Sequence, residues 1–393
     1  MSMETSRTQI WLQSLPERPY RLFVPLGIAL AWGGLFHWIL FSLSLTEAYR
    51  SVFHSIAQIE GFLTCFALAF LFTALPRRTQ SAPPTRFELA VGALAPVLTT
   101  ILAWPEFFAA SQIPWIVLAI VLLRFTLRRF RAKHAGRRPP AAFAAFPIAI
   151  VVALAGIVTI ALYGALHLDF SIHQLGRSML LQDVFLLFII GAASLAIPQI
   201  TRGESVPDLA IGEPRAVLPF VVAAIALVVS SVIEMRGLAA IADFMRGAIM
   251  LAMLLRHAHI HRLPTENGLT RWLLYIAVWL VPIGYALAAL APDHAQLGLH
   301  VVFLGGFGLM VLATGTHVTF AHEGRQDLAH GYPWQVVLMA LFVGLAIVAR
   351  SCVVLDPRHG KLWIGAAALL FLLATLCCGA AVARARLRTT FDV

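Results

Sequence analysis

The sequence predicts an all-α, polytopic membrane protein with about twelve transmembrane helices. Of its 393 residues, 60% are apolar and only 12% are charged, and the mean hydropathy is +0.84. A soluble protein carries about twice that share of charged residues. Apolar runs of about 17 to 25 residues, the length that crosses a bilayer, recur twelve times. They lie near residues 21–45, 52–75, 87–104, 112–128, 142–166, 179–200, 215–235, 238–256, 271–291, 296–320, 335–355 and 362–384.

The distribution of basic residues predicts that both termini are cytoplasmic. Loops on the N-terminal side of the bundle hold most of the 29 Lys and Arg residues, and basic loops stay on the cytoplasmic side of a membrane. The net charge of +10 is therefore a topology signal. These loops are short and lack interleaved aromatic residues, so nothing in them indicates nucleic-acid binding.

The chain is expected to form a single transmembrane domain over residues 1–393. Its longest loop, 129–141, is a basic linker that contains two prolines, and it separates possible halves at 1–128 and 142–393. A weak echo between the segments around Pro76 and Pro198, which both end even-numbered spans, hints at internal duplication. The four cysteines lie in apolar spans without a CxxC motif, which argues against a disulfide framework or a zinc site.

Three histidines inside apolar spans, His37, His54 and His300, form the predicted metal site near the outer ends of their helices. Histidine is costly in hydrocarbon and titrates near neutral pH, so its retention there indicates a ligand or proton role. Imidazole without thiolate suits haem iron or copper. The alternative is that each histidine sits at the membrane interface, hydrogen-bonded to a loop.

Four further residues complete the predicted outer site. Gln58 follows His54 by one turn on the same helix face, whereas Glu60 lies about 9 Å along the helix on another face. An intramembrane carboxylate commonly marks a proton or ligand path, although a hydrogen-bonded structural role for Glu60 stays open. Gly305 and Gly308 in the tenth span allow either close helix contact or the approach of a flat macrocycle.

A second polar group occupies the seventh and eighth spans. Asp243 and Arg246 are three residues apart and can pair on one helix face, while Glu234 precedes the short break between the two spans. A buried ion pair that locks helices together is the favoured interpretation. In a transporter, Asp243 and Arg246 would instead act with Glu60 as coupling residues.

Three segments resemble those of the NnrS family of twelve-span bacterial inner-membrane proteins. The first lies in the tenth span, where eight positions match. The second covers residues 53–62 and 70–77, and the third is the opening stretch 18–23. The matching positions of the tenth span are His300, Gly305, Gly308, Met310, Thr316, His322, Gly324 and Arg325.

The resemblance implies a multi-pass protein of the bacterial inner membrane that contains b-type haem, copper or both. It also implies a link to nitric oxide and nitrosative stress, with nitric oxide or iron-nitrosyl species as partners beside the lipid bilayer. It assigns His317, His322 and Arg325 to a family signature at the cytoplasmic end of the tenth span. That end lies about 25 Å from His300 along the helix, so these residues are not expected to share the outer site.

The sequence departs from the family pattern at several positions. The family's Thr-Arg pair is Thr316-His317 here, and one histidine of the family's second span is absent after His54. A histidine before Gly284 is also missing, and Leu195 stands where an arginine is common. The full ligand set is therefore not carried over. Two alternatives stay open: the chain binds only one cofactor, or it binds with substitute ligands such as His37, Gln58 or His317.

Three functional hypotheses remain open. The first is a haem- or copper-binding protein that interacts with nitric oxide, with His54 and His300 as ligands. The second is a proton-coupled transporter of a small molecule or metal. The third is an enzyme like the haem-copper nitric oxide reductases, which needs three histidines around copper. Whether the protein is an enzyme, and in which oligomeric state it acts, stays undecided by the sequence.

Overall fold

Twelve long helices follow one another along the part of the chain that the computed structural model describes, residues 13–106, 108–131, 136–210 and 213–389. Eleven of them belong to spans long and apolar enough to cross a membrane, which confirms the predicted polytopic all-α fold. The twelfth, α8, is shorter and carries Asp243 and Arg246. The helices are α1 (Tyr20–Ser42), α2 (Ser51–Thr79), α3 (Arg86–Ala103), α4 (Phe108–Phe130), α5 (Ala141–Leu166), α6 (Phe170–Thr201), α7 (Pro214–Met235), α8 (Ala239–Met253), α9 (Leu269–Leu290), α10 (Pro292–His322), α11 (Trp334–Leu355) and α12 (Gly360–Thr389).

Helices satisfy their own backbone hydrogen bonds, which is why apolar runs of this length adopt them in lipid. Among the described residues, local side chains cap the starts of two helices. The Thr85 hydroxyl accepts from the backbone N–H of Glu88, and the Glu88 carboxylate accepts from the backbone N–H of Thr85. This reciprocal capping box satisfies two otherwise unpaired donors at the start of α3. At the start of α6, the Asp169 carboxylate accepts from the backbone N–H of Ser171.

Three helices, α2, α6 and α10, lie innermost, and each is the second of four consecutive helices. In the most apolar window of α2 and of α6, 83% of residues are buried, and in α10 the share is 61%. The other spans reach 28–50%. Helices that are neighbours in sequence pack together, and α12 packs against α1, which closes the bundle. The outer helices therefore surround a core formed by α2, α6 and α10.

Each of these three inner helices contains a stretch of π-helix near its outer end. The stretches are Ala57–Leu63 in α2, Met179–Asp183 in α6 and Val301–Gly308 in α10, and their first residues are 122 positions apart in each case. Pro76 and Pro198 have the same spacing. The bundle therefore repeats in three units of four helices, and the possible division into two halves at the linker 129–141 stays a prediction. Residues 132–135 of that linker lie outside the described residues.

Glycines allow close crossings between the first two helices of a unit. A Cβ atom on Gly176 of α6 would lie 2.6 Å from the backbone oxygen of Gly156 and 2.7 Å from Ile160 of α5. Small residues of this kind let helix backbones approach in membranes, where packing drives helix association. The crossing therefore requires glycine at position 176.

We expect Gly176→Ala to lower the free energy of unfolding by about 1–3 kcal/mol, since the added methyl group meets backbone atoms that have no room to move. Gly164→Ala is the matched control on α5. A Cβ atom there meets nothing within 4 Å, so it should be neutral or stabilise by up to about 1 kcal/mol. Thermal unfolding of both variants in detergent measures the difference. Equal melting temperatures would contradict the close crossing.

Candidate cofactor site

The three segments that resemble the NnrS family meet at the cytoplasmic ends of α1, α2 and α10. The Glu323 carboxylate accepts hydrogen bonds from the Tyr20 hydroxyl at 2.9 Å and from two Arg21 nitrogens at 2.8 and 2.6 Å. One residue earlier, His322 Nε2 accepts from Arg77, and its ring packs 5.3 Å from that of Tyr20. Segments more than 240 residues apart in sequence therefore form one contact network.

The Glu323 side chain is buried but stays charged. Burial alone would raise the pKa of this carboxyl, yet the hydrogen bonds from Arg21 and Tyr20 and the charges of Arg21 and Arg18 outweigh it. The result is a pKa of Glu323 below its ordinary value. Because Arg21 forms two parallel hydrogen bonds to the carboxylate, the pair is geometrically specific as well as strong.

A cavity of about 590 Å³ opens beside this network. It lies within the range of about 300–1,000 Å³ of pockets that hold small molecules and cofactors. Aliphatic and aromatic side chains line its wall, and Met310 of α10 lies among them. The phenylalanines are Phe66, Phe70, Phe146, Phe185, Phe188 and Phe307. The walls come from all three units, so the cavity is a property of the assembled bundle.

The mouth of the cavity is basic. Arg78 and Arg137 share a single carboxylate, that of Asp208, at 2.9 and 2.7 Å. Among the described residues, no carboxylate lies within ion-pair distance of Arg77 or Arg271, and both line the cavity. Arg271 instead donates to the backbone oxygens of Ile200 and Ala329. An excess of cations over carboxylates at an apolar cavity favours a ligand with acidic groups at one edge.

Two histidines line the cavity, and their ring nitrogens are used differently. In His322, Nδ1–H donates to the Val318 oxygen at 2.8 Å, so Nε2 is the nitrogen that accepts from Arg77. In His317, Nδ1 lies 3.1 Å from the Thr270 hydroxyl, and no hydrogen bond of Nε2 is found among the described residues. A hydrogen bond at one ring nitrogen orients a histidine whose other nitrogen binds a metal. His317 therefore has the better geometry for a ligand.

At the outer ends of the helices, the structure brings together two of the three predicted histidines. The ring centroids of His37 and His54 are 6.1 Å apart. His54 Nδ1–H donates to the Gly34 oxygen at 3.0 Å, which leaves the lone pair on Nε2. His37 is only 3% exposed, and neither of its ring nitrogens forms a hydrogen bond.

The third predicted ligand, His300, has both ring nitrogens engaged. Nδ1–H donates to the Gln296 oxygen at 2.6 Å, and Nε2 accepts from Arg350 at 2.9 Å. The described residues contain no group of three His, Cys, Asp or Glu side chains arranged to hold a metal. The outer histidines thus form a pair and not a three-ligand centre, and metal binding by them stays a prediction.

The remaining predicted residues take up separate positions. The Gln58 amide donates to the Ala31 oxygen of α1 at 3.0 Å. Glu60 is fully buried and faces α4, where its Oε2 accepts from Gln112 at 2.8 Å and its Oε1 has no hydrogen-bond partner. Their placement on different helix faces is as expected, and a role of Glu60 in proton transfer stays a prediction. Arg325 pairs with Asp327 in the turn after α10.

Neighbouring helices fill the space beside the two glycines of α10. A Cβ atom on Gly305 would lie 2.8 Å from Leu280, and one on Gly308 would lie 3.0 Å from Phe371. Of the two predicted alternatives, the geometry favours close helix contact over room for a macrocycle. Neither glycine lines the cavity.

The sequence-based prediction named His317 but missed the cavity that it lines together with Arg77, Arg78, Arg137 and Arg271. The sequence nevertheless contained an indication of this cavity. These residues all lie in cytoplasmic loops or at the cytoplasmic ends of spans, and two of the resembling segments end there. The partner of His317, Thr270, gave no signal, because it begins a different helix.

The fold and the cavity define a polytopic α-helical membrane protein with an internal, ligand-sized site. Over residues 14–389, nearly the whole chain, the sequence matches the family model described as NnrS protein. The chain belongs to the NnrS family, and it is a membrane protein of a nitric-oxide-related class. No curated protein matches the chain.

Removing the charge of Glu323 should destabilise the protein. We expect Glu323→Gln to lower the free energy of unfolding by about 2–3 kcal/mol at neutral pH, because Arg21 loses its buried charged partner. Since the folded-state pKa of Glu323 is lowered, its contribution is complete above the unfolded pKa and is lost as pH falls through the folded pKa. The difference in melting temperature from wild type should therefore shrink below about pH 4.

Glu17→Gln is the control for this experiment, because Glu17 is an exposed acid in the same N-terminal region. It should melt like the wild type at every pH. A Glu323→Gln difference that stays constant down to pH values well below that range would show that the carboxylate charge does not stabilise the junction.

Proposed function

We propose that this protein binds b-type haem in the central cavity and that the bound haem interacts with nitric oxide in the nitrosative stress response. The observation that carries the proposal is the convergence of all three family-like segments on one ligand-sized cavity with a basic mouth. Membership of the NnrS family supports the link to nitric oxide in general, and haem is the cofactor that the family resemblance implies. The resulting site lies near the cytoplasmic side, not at the outer histidines expected from the sequence.

The residues of the cavity fit a porphyrin in three respects. Aromatic and aliphatic walls suit its flat apolar ring, and Arg77 and Arg271 at the mouth suit its two carboxylates. His317 offers a ring nitrogen to the iron. The sequence contains no Cys-x-x-Cys-His motif for covalent attachment, and this supports a non-covalently held, b-type haem.

When bound, the haem iron would supply a coordination position for nitric oxide. The chain's own residues would control that position. The hydrogen bond to Thr270 would hold the His317 ring in place and set which nitrogen carries the lone pair. The phenylalanine walls would exclude water and keep the surroundings of low polarity, and Arg77 would become available for a carboxylate if it releases His322.

A second proposal concerns copper at the pair of His37 and His54. His54 has its Nε2 lone pair unengaged, and His37 is buried with neither ring nitrogen hydrogen-bonded. Buried polar groups without partners are rare and call for an explanation. Two imidazoles are suitable ligands for a copper ion. Arg350 donates a hydrogen bond to Nε2 of the neighbouring His300. This histidine would therefore join the pair only after the contact to Arg350 breaks.

The rival hypotheses receive less support. A haem-copper reductase needs three histidines around copper, and the described residues hold no group of three candidate ligands. In a transporter, the coupling residues would face the substrate cavity. Glu60, Asp243 and Arg246 do not line the cavity found here. Location in the bacterial inner membrane, with the mouth toward the cytoplasm, completes the proposal.

Haem binding predicts a Soret absorption band in protein purified in mild detergent and supplied with haem. His317→Ala should remove the ring nitrogen that would bind the iron, and so remove or shift this band. Thr270→Val should weaken haem binding about 10–100-fold, the usual cost of losing the group that orients a metal ligand. His300→Ala should bind haem like the wild type. A band lost in His300→Ala and retained in His317→Ala would refute the assignment of the cavity as the haem site.

Copper binding predicts that His37→Ala and His54→Ala each lose the metal after loading with copper and removal of the excess, as measured by elemental analysis. Each variant removes one of only two ligands. His259→Ala, which changes a histidine outside both sites, serves as the control and should retain copper. Equal copper in all four proteins, or none in the wild type, would rule out the pair as a copper site.

A further inference from the structure

A buried arginine joins α6, α7 and α8 on a side of the bundle that the cavity does not use. Arg246 is fully buried and lies within ion-pair distance of three carboxylates. These are Glu234 at 2.6 Å, Asp243 at 3.3 Å and Asp183 at 3.7 Å. One guanidinium carries a single positive charge and cannot neutralise three carboxylates at once.

Hydroxyl groups connect the exposed and buried ends of this centre. The Ser178 hydroxyl donates to Glu234 at 2.7 Å, and the Ser231 hydroxyl lies 3.3 Å from that of Ser178. Ser231 also donates to Asp183 at 2.6 Å. The side chain of Glu234 is 34% exposed and that of Asp183 is wholly buried. The four groups therefore form a continuous chain from the outer end of α7 into the bundle.

The positive charges around Asp183 are too few to neutralise all the carboxylates of this cluster. Arg246 and, near Glu234, Arg177 supply two positive charges against the three carboxylates. From α9, the Tyr285 hydroxyl donates to Gln182, which reaches Ser178, so no further cation comes from that side. A buried, uncompensated carboxylate is strongly disfavoured and takes up a proton instead.

Asp183 is the carboxyl best placed to hold this proton. Of the three, it lies farthest from Arg246, and its Oδ1 is buried without a hydrogen-bond partner. A proton on the other oxygen, Oδ2, would neutralise the carboxyl and lie at the inner end of the hydroxyl chain, since Oδ2 is 2.6 Å from the Ser231 hydroxyl. Asp183 also ends the π-helical stretch of α6, and π-helical distortions are frequent at functional sites.

We propose that Asp183 is a proton-holding site that exchanges its proton with the outer aqueous phase through Ser231, Ser178 and Glu234. In the outward step, Asp183 gives its proton to the Ser231 oxygen while the Ser231 proton passes to Ser178. The Ser178 proton passes to the Glu234 carboxylate, which releases it to water. Each hydroxyl gains one proton and loses one, so only the two carboxyl groups change charge. This site is independent of the haem and copper proposals.

Infrared spectroscopy of the full-length protein in lipid nanodiscs tests the proposal. A protonated carboxylic acid has a separate carbonyl band that shifts when its proton is replaced by a deuteron. The wild type should show such a band, and Asp183→Asn should lose it. Glu60→Gln identifies the contribution of Glu60, a second fully buried carboxyl. After transfer to D₂O, Ser231→Ala should slow the shift about tenfold or more, since one hydrogen-bonded link is removed.

Two variants make the test specific. Ser231→Thr keeps the hydroxyl and should restore the wild-type exchange rate. Ser194→Ala removes another buried hydroxyl from α6, one that bonds only within its own helix, and should exchange like the wild type. If Asp183→Asn fails to fold, the Ser231 variants still report the rate of proton exchange along the hydrogen-bonded hydroxyl groups. Wild-type exchange in Ser231→Ala, or a carboxylic acid band that Asp183→Asn leaves unchanged, would overturn the proposal.

Discussion

The contact of Glu323 with Tyr20 and Arg21 is the interaction on which the cavity depends. It joins the end of α10 to the start of α1 and so connects the third four-helix unit to the first at the cavity mouth. The same turn holds His322 against Arg77 of α2. Without this junction, three helix ends from two units would have no polar link at the point where the cavity opens.

The low polarity of the bilayer explains which intramembrane polar groups matter. A buried polar group needs a partner, and most of those found here have one, as His300 has in Arg350 and Glu60 in Gln112. In the sequence, polar residues of this kind look like ligands. In the structure, their hydrogen bonds hold neighbouring helices together. Groups that keep an unengaged nitrogen or oxygen have capacity for a metal or a proton, and they include His37, His317, Asp183 and the second oxygen of Glu60.

The fold could be predicted almost completely from the sequence, because helix length in a membrane is set by bilayer thickness. The site could be predicted only in part. The resembling segments were recognised, but their convergence depends on contacts such as Arg77 with His322, 245 positions apart. His300 looked like a free ligand because Arg350, which occupies it, belongs to another helix. The threefold arrangement was visible only as the echo of Pro76 and Pro198, since backbone π-helix leaves no simple sequence pattern.

The most direct test of the central claim is a cryo-electron microscopy map of the haem-loaded protein in nanodiscs. The cavity account predicts flat density between the phenylalanine walls, with its acidic edge toward Arg77 and Arg271 and continuous density to the His317 ring. Haem density beside His54 or His300 at the outer ends of the helices, with the cavity filled only by lipid or water, would contradict it.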